Sequence, residues 1–279
     1  MIVDFHTHTF PDKIAATAIQ KMQKDCKSVA FTDGTVSALK ASMKNADIDY
    51  SVVLPVATNP TKVSSINDIS IQSTEKDGLI YFGCIHPDAE NYKDELRRIA
   101  DAGIKGIKIH PVYQGADIDD IRYLRIMDTA GELGLIVLTH AGNDIGFPGV
   151  VRCSPQMIEN TLHQVGDINF VTAHMGGWKN WDAIDILQPF NHLYLDTAFS
   201  LGRITPLFDT AYAPDQLPLL SDKDFCELVK TFGSDRILFG TDSPWTDQQA
   251  EKEHIMSLPL SKQEKENIMG KNACRLLNM

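Results

Sequence analysis

Residues 103–142 read GIKGIKIHPVYQGADIDDIRYLRIMDTAGELGLIVLTHAG. Two short apolar runs, 106–110 and 135–140, flank a segment of helical period and composition at 121–133. Both runs are dense in Ile, Leu and Val, as strands buried in a parallel sheet should be. Gly134 stands where a helix C-terminal glycine belongs. Each run ends on a histidine, His110 and His140.

The same alternation extends in both directions. Further strands are predicted at 2–6, 50–56, 79–85, 168–174, 193–197 and 237–241, and further helices at 95–102, 155–165 and 225–232. Gly103 and Gly166 occupy helix-end positions like that of Gly134. Strands separated by helices, with no hairpin signal, predict an α/β chain closed as a (β/α)8 TIM barrel. The 279 residues and 43% hydrophobic content suit one such domain over 1–279, since these barrels run to roughly 250 residues. Residues 261–279 read as a C-terminal helix bracing the barrel. Two connections, 143–153 and 199–221, are longer than a barrel needs and follow strand C-terminal ends, where long loops shape pockets.

Charged residues make up 23% of the chain and the formal net charge is −11. That balance argues against nucleic acid or an anionic membrane as partner, because no basic surplus exists to release counterions. No apolar run of about 18 residues predicts a membrane helix. The opening MIVDFHTH lacks the basic and long apolar regions of a secretory signal. Five scattered cysteines, none in a Cys-x-x-Cys pair, read as reduced thiols. The expectation is a cytoplasmic protein acting on a small molecule, with a homodimer left open.

The first strand ends Asp4-Phe5-His6-Thr7-His8. Alternate strand residues share a face, so Asp4, His6 and His8 point together, and two imidazoles so placed can bind one divalent ion. Other strand ends carry Lys108 and His110, His140, His174 and Asp242. In a barrel these ends converge on one face, where catalytic residues gather. An unpaired histidine inside an apolar strand is costly, so the set reads as a shared metal site rather than core filling.

This ordered set resembles the amidohydrolase superfamily, in the branch of small metal-dependent hydrolases and aminocarboxymuconate-semialdehyde decarboxylase-like enzymes. The resemblance spans the chain, from Asp-Phe-His-Thr-His-Thr-Phe-Pro-Asp-Lys at 4–13 to Leu-Phe-Gly-Thr-Asp-Ser-Pro-Trp at 238–245. It implies His6, His8, His140 and Asp242 as metal ligands, with Asp242 and His174 catalytic. One divalent ion is expected rather than two, zinc first, with manganese, iron and cobalt compatible. Lys108 departs from the pattern: it bridges two ions only as a carbamate, and otherwise orients an anionic substrate or pairs with Asp4 or Asp242.

Substrate contacts expected on the face are Lys108, His110, Arg203 and Trp178. Arg152 and Arg203, on the long connections, offer grips for a carboxylate, and Trp178 and Trp245 offer pocket walls or packing. His86 reads as structural, His163, His192 and His254 as surface residues, and Cys84 and Cys153 as packing. The function expected is hydrolysis of an amide, ester or lactone. The alternatives are non-oxidative decarboxylation, phosphoester hydrolysis and a non-catalytic metal-binding barrel.

Overall fold

A computed structural model describes residues 1–74 and 76–279. The chain sorts into two compact units. The first comprises Met1–Ser51, Ile145–Pro148 and Thr197–Met279, and the second Val52–Asp144 and Gly149–Asp196. In chain order the strands are β1 (Val3–Thr7), β2 (Tyr50–Val53), β3 (Leu79–Tyr81), β4 (Gly83–Cys84), β5 (Gly106–Ile109), β6 (Ile136–Thr139), β7 (Phe170–Thr172), β8 (Leu193–Asp196) and β9 (Ile237–Leu238). The helices are α1 (Asp12–Cys26), α2 (Val36–Asn45), α3 (Val63–Ser73), α4 (Tyr92–Asp101), α5 (Pro111–Gln114), α6 (Ile121–Glu132), α7 (Pro155–Leu162), α8 (Asp222–Phe232), α9 (Gln248–Ser257), α10 (Lys262–Glu266) and α11 (Asn272–Leu277).

The second unit is built on a parallel sheet running from β4 to β8. Its register pairs Cys84 with Lys108, Ile109 with Thr139, Thr139 with Thr172 and Thr172 with Leu195. Every residue of β5, β6 and β7 is buried, so these strands are covered on both faces, as in an all-parallel sheet, with Lys108 the one charged side chain among them. That register positions the chemistry. His110 follows Ile109, His140 follows Thr139, and His174 lies two residues past Thr172, so three imidazoles leave the same edge. Helices start where side-chain oxygens can take orphan amides. Asp120 accepts from the Arg122 amide ahead of α6, and Ser154 from the Met157 amide ahead of α7.

In the first unit the wholly buried β1 runs alongside 239–243. Phe5 N–H donates to Phe239 O at 2.7 Å, Asp242 N–H to His6 O at 2.8 Å, and His8 N–H to Ser243 O at 2.7 Å. The segment predicted as one C-terminal helix is α10, a π-helical turn at Asn267–Lys271, and α11. The Ile268 carbonyl in that turn accepts from the Phe239 amide at 2.9 Å, tying the segment to the chain after β9. Ser261 and Glu264 form a reciprocal capping box at its start.

Several predicted strands are shorter in the structure, each for a local reason. The run 79–85 divides at Phe82, because the chain changes partner there: the Phe82 amide still donates to Val53 O of β2 at 3.0 Å, whereas β4 pairs with β5 from Gly83 on. The run 237–241 ends at Leu238, because the Gly240 amide donates to the Thr197 hydroxyl at 3.0 Å instead of continuing a ladder. The run 168–174 ends at Thr172, ahead of a left-handed turn at His174. The connection 199–221 is backbone-bonded rather than loose. Val29 N–H donates to Thr205 O at 3.0 Å and Leu207 N–H to Lys27 O at 2.8 Å. Among the described residues no helix is long and apolar enough to cross a membrane.

Candidate metal centre

In the first unit, β1 delivers His6 and His8, and the segment after β9 delivers Asp242. Their ring nitrogens and carboxylate oxygen form a small triangle. His6 Nε2 and His8 Nε2 are 3.2 Å apart, and Asp242 Oδ1 lies 3.4 Å from the first and 3.1 Å from the second. Donors each about 2.1 Å from one ion and roughly tetrahedral about it stand about 3.4 Å apart, so this triangle fits a divalent cation. Its three side chains are 1%, 19% and 12% exposed, which leaves an accessible edge on the His8–Asp242 side.

Backbone geometry fixes the carboxylate. Asp242 has φ +62°, a conformation that Asp, Asn and His enter more readily than other side chains. Asp4, on the same strand face as His6, is committed elsewhere. Its carboxylate accepts from Thr241 N–H at 3.0 Å, Thr241 Oγ1–H at 2.6 Å and Gln248 Nε2–H at 2.7 Å. Burial lifts its pKa to about 6 against the pull of these bonds. Asp4 therefore anchors β1 to the residue preceding Asp242.

In the second unit, Lys108, His110, His140 and His174 are all buried. His140 Nδ1 is 3.0 Å from His174 Nε2, and its Nε2 is 3.1 Å from the Asn143 carbonyl. Burial, followed by the charges of His110, His174 and Lys108, holds the His140 pKa well below the usual imidazole value, so the ring is neutral. A neutral ring that donates from Nε2 to a carbonyl has its lone pair on Nδ1. His174 Nε2 is then the donor across the 3.0 Å contact.

His174 has φ +59°, and its turn is held from three sides. Its amide donates to Asp196 Oδ1 at 3.0 Å, the Met175 amide donates to Asp196 O at 2.7 Å, and Trp181 Nε1–H donates to the His174 carbonyl at 2.9 Å. Asp196 and Trp181 carry no sequence motif, and their roles emerge only in three dimensions. Asp144 is also new to the site. It is 5% exposed and faces His110 and His140.

The other expected contacts have definite places. Arg152 is paired with Asp117 at 2.8 Å, which occupies the guanidinium read as a carboxylate grip. Arg203 is exposed. Trp178 is 8% exposed, and its backbone is stitched to Ala141 and Asn143. His86 accepts from the Asp88 amide at 3.1 Å and is structural. Cys84 and Cys153 are buried thiols, and burial raises both, Cys153 to about 12, which favours the neutral thiol over the reactive thiolate.

The amidohydrolase family model matches residues 3–279. The chain belongs to that family and is an enzyme. No curated protein sequence matches it. A Tim-barrel protein from Bordetella bronchiseptica is similar, with TM-score 0.72 and 19% identity, covering 99% of this chain and 98% of that one. So is 5-carboxyvanillate decarboxylase from Sphingomonas paucimobilis, with TM-score 0.72 and 12% identity, covering 100% and 99%. A dihydroxybenzoic acid decarboxylase from Polaromonas, solved with manganese and 2-nitroresorcinol, has TM-score 0.70 and 12% identity, covering 99% and 96%. At these identities the likeness establishes the fold, a parallel α/β TIM barrel, as the sequence predicts.

Proposed function

We propose that the chain is a metal-dependent hydrolase that adds water to the carbonyl of an amide, ester or lactone in a small, carboxylate-bearing molecule. The observation that carries this reading is the His6–His8–Asp242 triangle, with one donor anionic and one edge accessible. Catalytic metal sites keep such an open position, whereas structural sites close it. His140 is proposed as the further ligand, on the strand-end pattern of the sequence and the family fold. Imidazole and carboxylate donors suit zinc, and manganese, iron and cobalt accept them too.

When bound, a divalent ion supplies Lewis acidity and lowers the pKa of water towards about 7. The chain's own groups do the rest. Asp242 accepts the proton lost by the attacking water and returns it to the leaving group. His174 offers its Nε2–H to the oxyanion once His140 Nδ1 is engaged as a ligand. Lys108, Arg203 and Trp178 are proposed substrate contacts, the two cations opposite a carboxylate.

The decarboxylase relatives support a second reading, loss of carbon dioxide from a carboxylated ring. One assay separates the two. Candidate amides, esters, lactones and hydroxybenzoates are incubated in 18O-water, with carbon dioxide measured in the headspace. Hydrolysis places the label in the product carboxylate; release of carbon dioxide with no label incorporated into the organic product transfers the assignment to decarboxylation. For either, Asp242→Asn is expected to fold, keep metal and lose turnover. Wild-type turnover in a metal-loaded Asp242→Asn protein refutes the role given to Asp242.

A further inference from the structure

His110, His140 and Asp144 offer donor atoms within 4.8 Å of one another, close enough for a second metal site on distance alone. Proton placement and ring geometry point elsewhere. His110 Nδ1 faces the Tyr113 amide at 3.5 Å and accepts from it as the N-cap of α5. A neutral ring accepting at Nδ1 carries its proton on Nε2. His140 donates from Nε2 to the Asn143 carbonyl at 3.1 Å, so its proton is on Nε2 as well. The two rings stack with centroids 4.3 Å apart and planes 11° from parallel. In-plane nitrogen directions on such a stack run side by side and do not converge on one ion.

What both Nε2 atoms share is a carboxylate. Asp144 Oδ2 lies 3.5 Å from His110 Nε2 and 3.8 Å from His140 Nε2. We infer that Asp144, facing the Nε2 edges of His140 and of His110, whose ring is stacked between those of His140 and Tyr113, is a positioning residue for His140. It favours the Nε2–H tautomer and keeps the Nδ1 lone pair on the His174 side. A carboxylate beside the remote N–H also makes the opposite nitrogen a stronger donor, as carboxylate–histidine pairs do for metals. The chain reaches this geometry by turning back at Gly142, φ +84°, which brings the carbonyl at i+3 and the carboxylate at i+4 to the His140 ring.

The affinity half of the consequence rests on His140 being a ligand, as proposed above, and the tautomer half does not. The test uses 15N-histidine-labelled, metal-free protein and long-range 1H–15N correlation spectra. In wild type, His110 and His140 are expected to show pyrrole-like Nε2 and pyridine-like Nδ1 shifts. In Asp144→Ala the His140 shifts move towards the average of two tautomers, and the zinc dissociation constant, from chelator competition, rises roughly 10–100-fold. Asp144→Asn, which keeps the shape without the charge, falls between and carries the same readouts if the alanine variant does not fold. Wild-type shifts in both variants overturn the inference, as does an Nδ1–H tautomer in wild type or a second zinc per chain lost with Asp144. If His140→Ala leaves zinc content unchanged, the ligand reading fails, and the shifts alone then decide the role of Asp144.

Discussion

Replacing Gly142 with alanine tests how the strand-end residues of the second unit are held. A Cβ at this position would sit 2.2 Å from the Trp178 nitrogen, 2.5 Å from the Gly177 carbonyl carbon and 2.5 Å from the Trp178 oxygen. All three are backbone atoms, so no side chain can swing away. The two chain segments must part by about 1 Å before ordinary contact returns. Three backbone bonds cross or border that contact: Gly142 N–H to Cys153 O at 2.7 Å, Asn143 N–H to Trp178 O at 2.9 Å, and Trp178 N–H to Ala141 O at 2.9 Å. At about 1 kcal/mol for each bond weakened and about 1 kcal/mol for a left-handed alanine, the expected cost is about 4 kcal/mol. In a large domain that lowers Tm by roughly 10 °C. Turnover should fall too, because the parting segments carry His140 and His174. Gly149 supplies the control. It has φ +81° with no atom within 4 Å of the added Cβ, so Gly149→Ala isolates the conformational cost of about 1 kcal/mol. Differential scanning calorimetry of both variants decides the matter, and equal Tm values would refute the steric account.

Other outcomes follow from the same geometry. Stripping metal with a chelator should lower Tm and abolish turnover, with zinc or manganese restoring both. A ligand held at 100 times its Kd contributes about 2.7 kcal/mol, and a Tm indifferent to chelation and reloading contradicts a bound ion. Glu251 is pushed up to about 8 by burial first, then by Asp4 and Asp247. The unfolded chain releases this proton near pH 4.5 and the folded chain near pH 8, so stability declines as pH rises across that window. Glu251→Gln should therefore gain up to a few kcal/mol over wild type at pH 8.5 and little at pH 4.5 in urea titrations. Parallel pH profiles for the two proteins would rule this out. Trp181→Phe removes the indole donor to the His174 carbonyl, at a cost of about 1 kcal/mol. A lowered kcat at unchanged metal content is expected, and unaltered kcat separates Trp181 from the positioning of His174.

The residues legible in the sequence share a physical property. Each is a type that an apolar, buried strand end does not tolerate for free. His6, His8, His140, His174 and Asp242 stand out against runs of Val, Ile and Leu, and the two-residue period of β1 places His6 and His8 on one side. No spatial information was needed to single them out. Asp144 and Trp181 are not legible because nothing is anomalous about an aspartate or tryptophan in a polar stretch, and Asp196, which ends the largely buried strand β8, is anomalous there but shows in sequence no partner for its carboxylate. Their significance lies in which atom they face. Asp144 lies past a glycine in a left-handed turn, and the His174 amide and the Asp196 carboxylate that accepts from it are 22 positions apart. Arg152 shows the converse. A guanidinium on a long loop reads as a free grip, yet its partner Asp117 lies 35 residues earlier in the chain. Sequence cost identifies the groups placed at the strand ends, whereas tautomer, orientation and charge balance depend on neighbours that only folding supplies. Variants at Asp144, Asp196 and Trp181 should therefore tune the imidazoles of His140 and His174, while variants at His6, His8 and Asp242 should remove the cation-binding triangle that the proposed function requires.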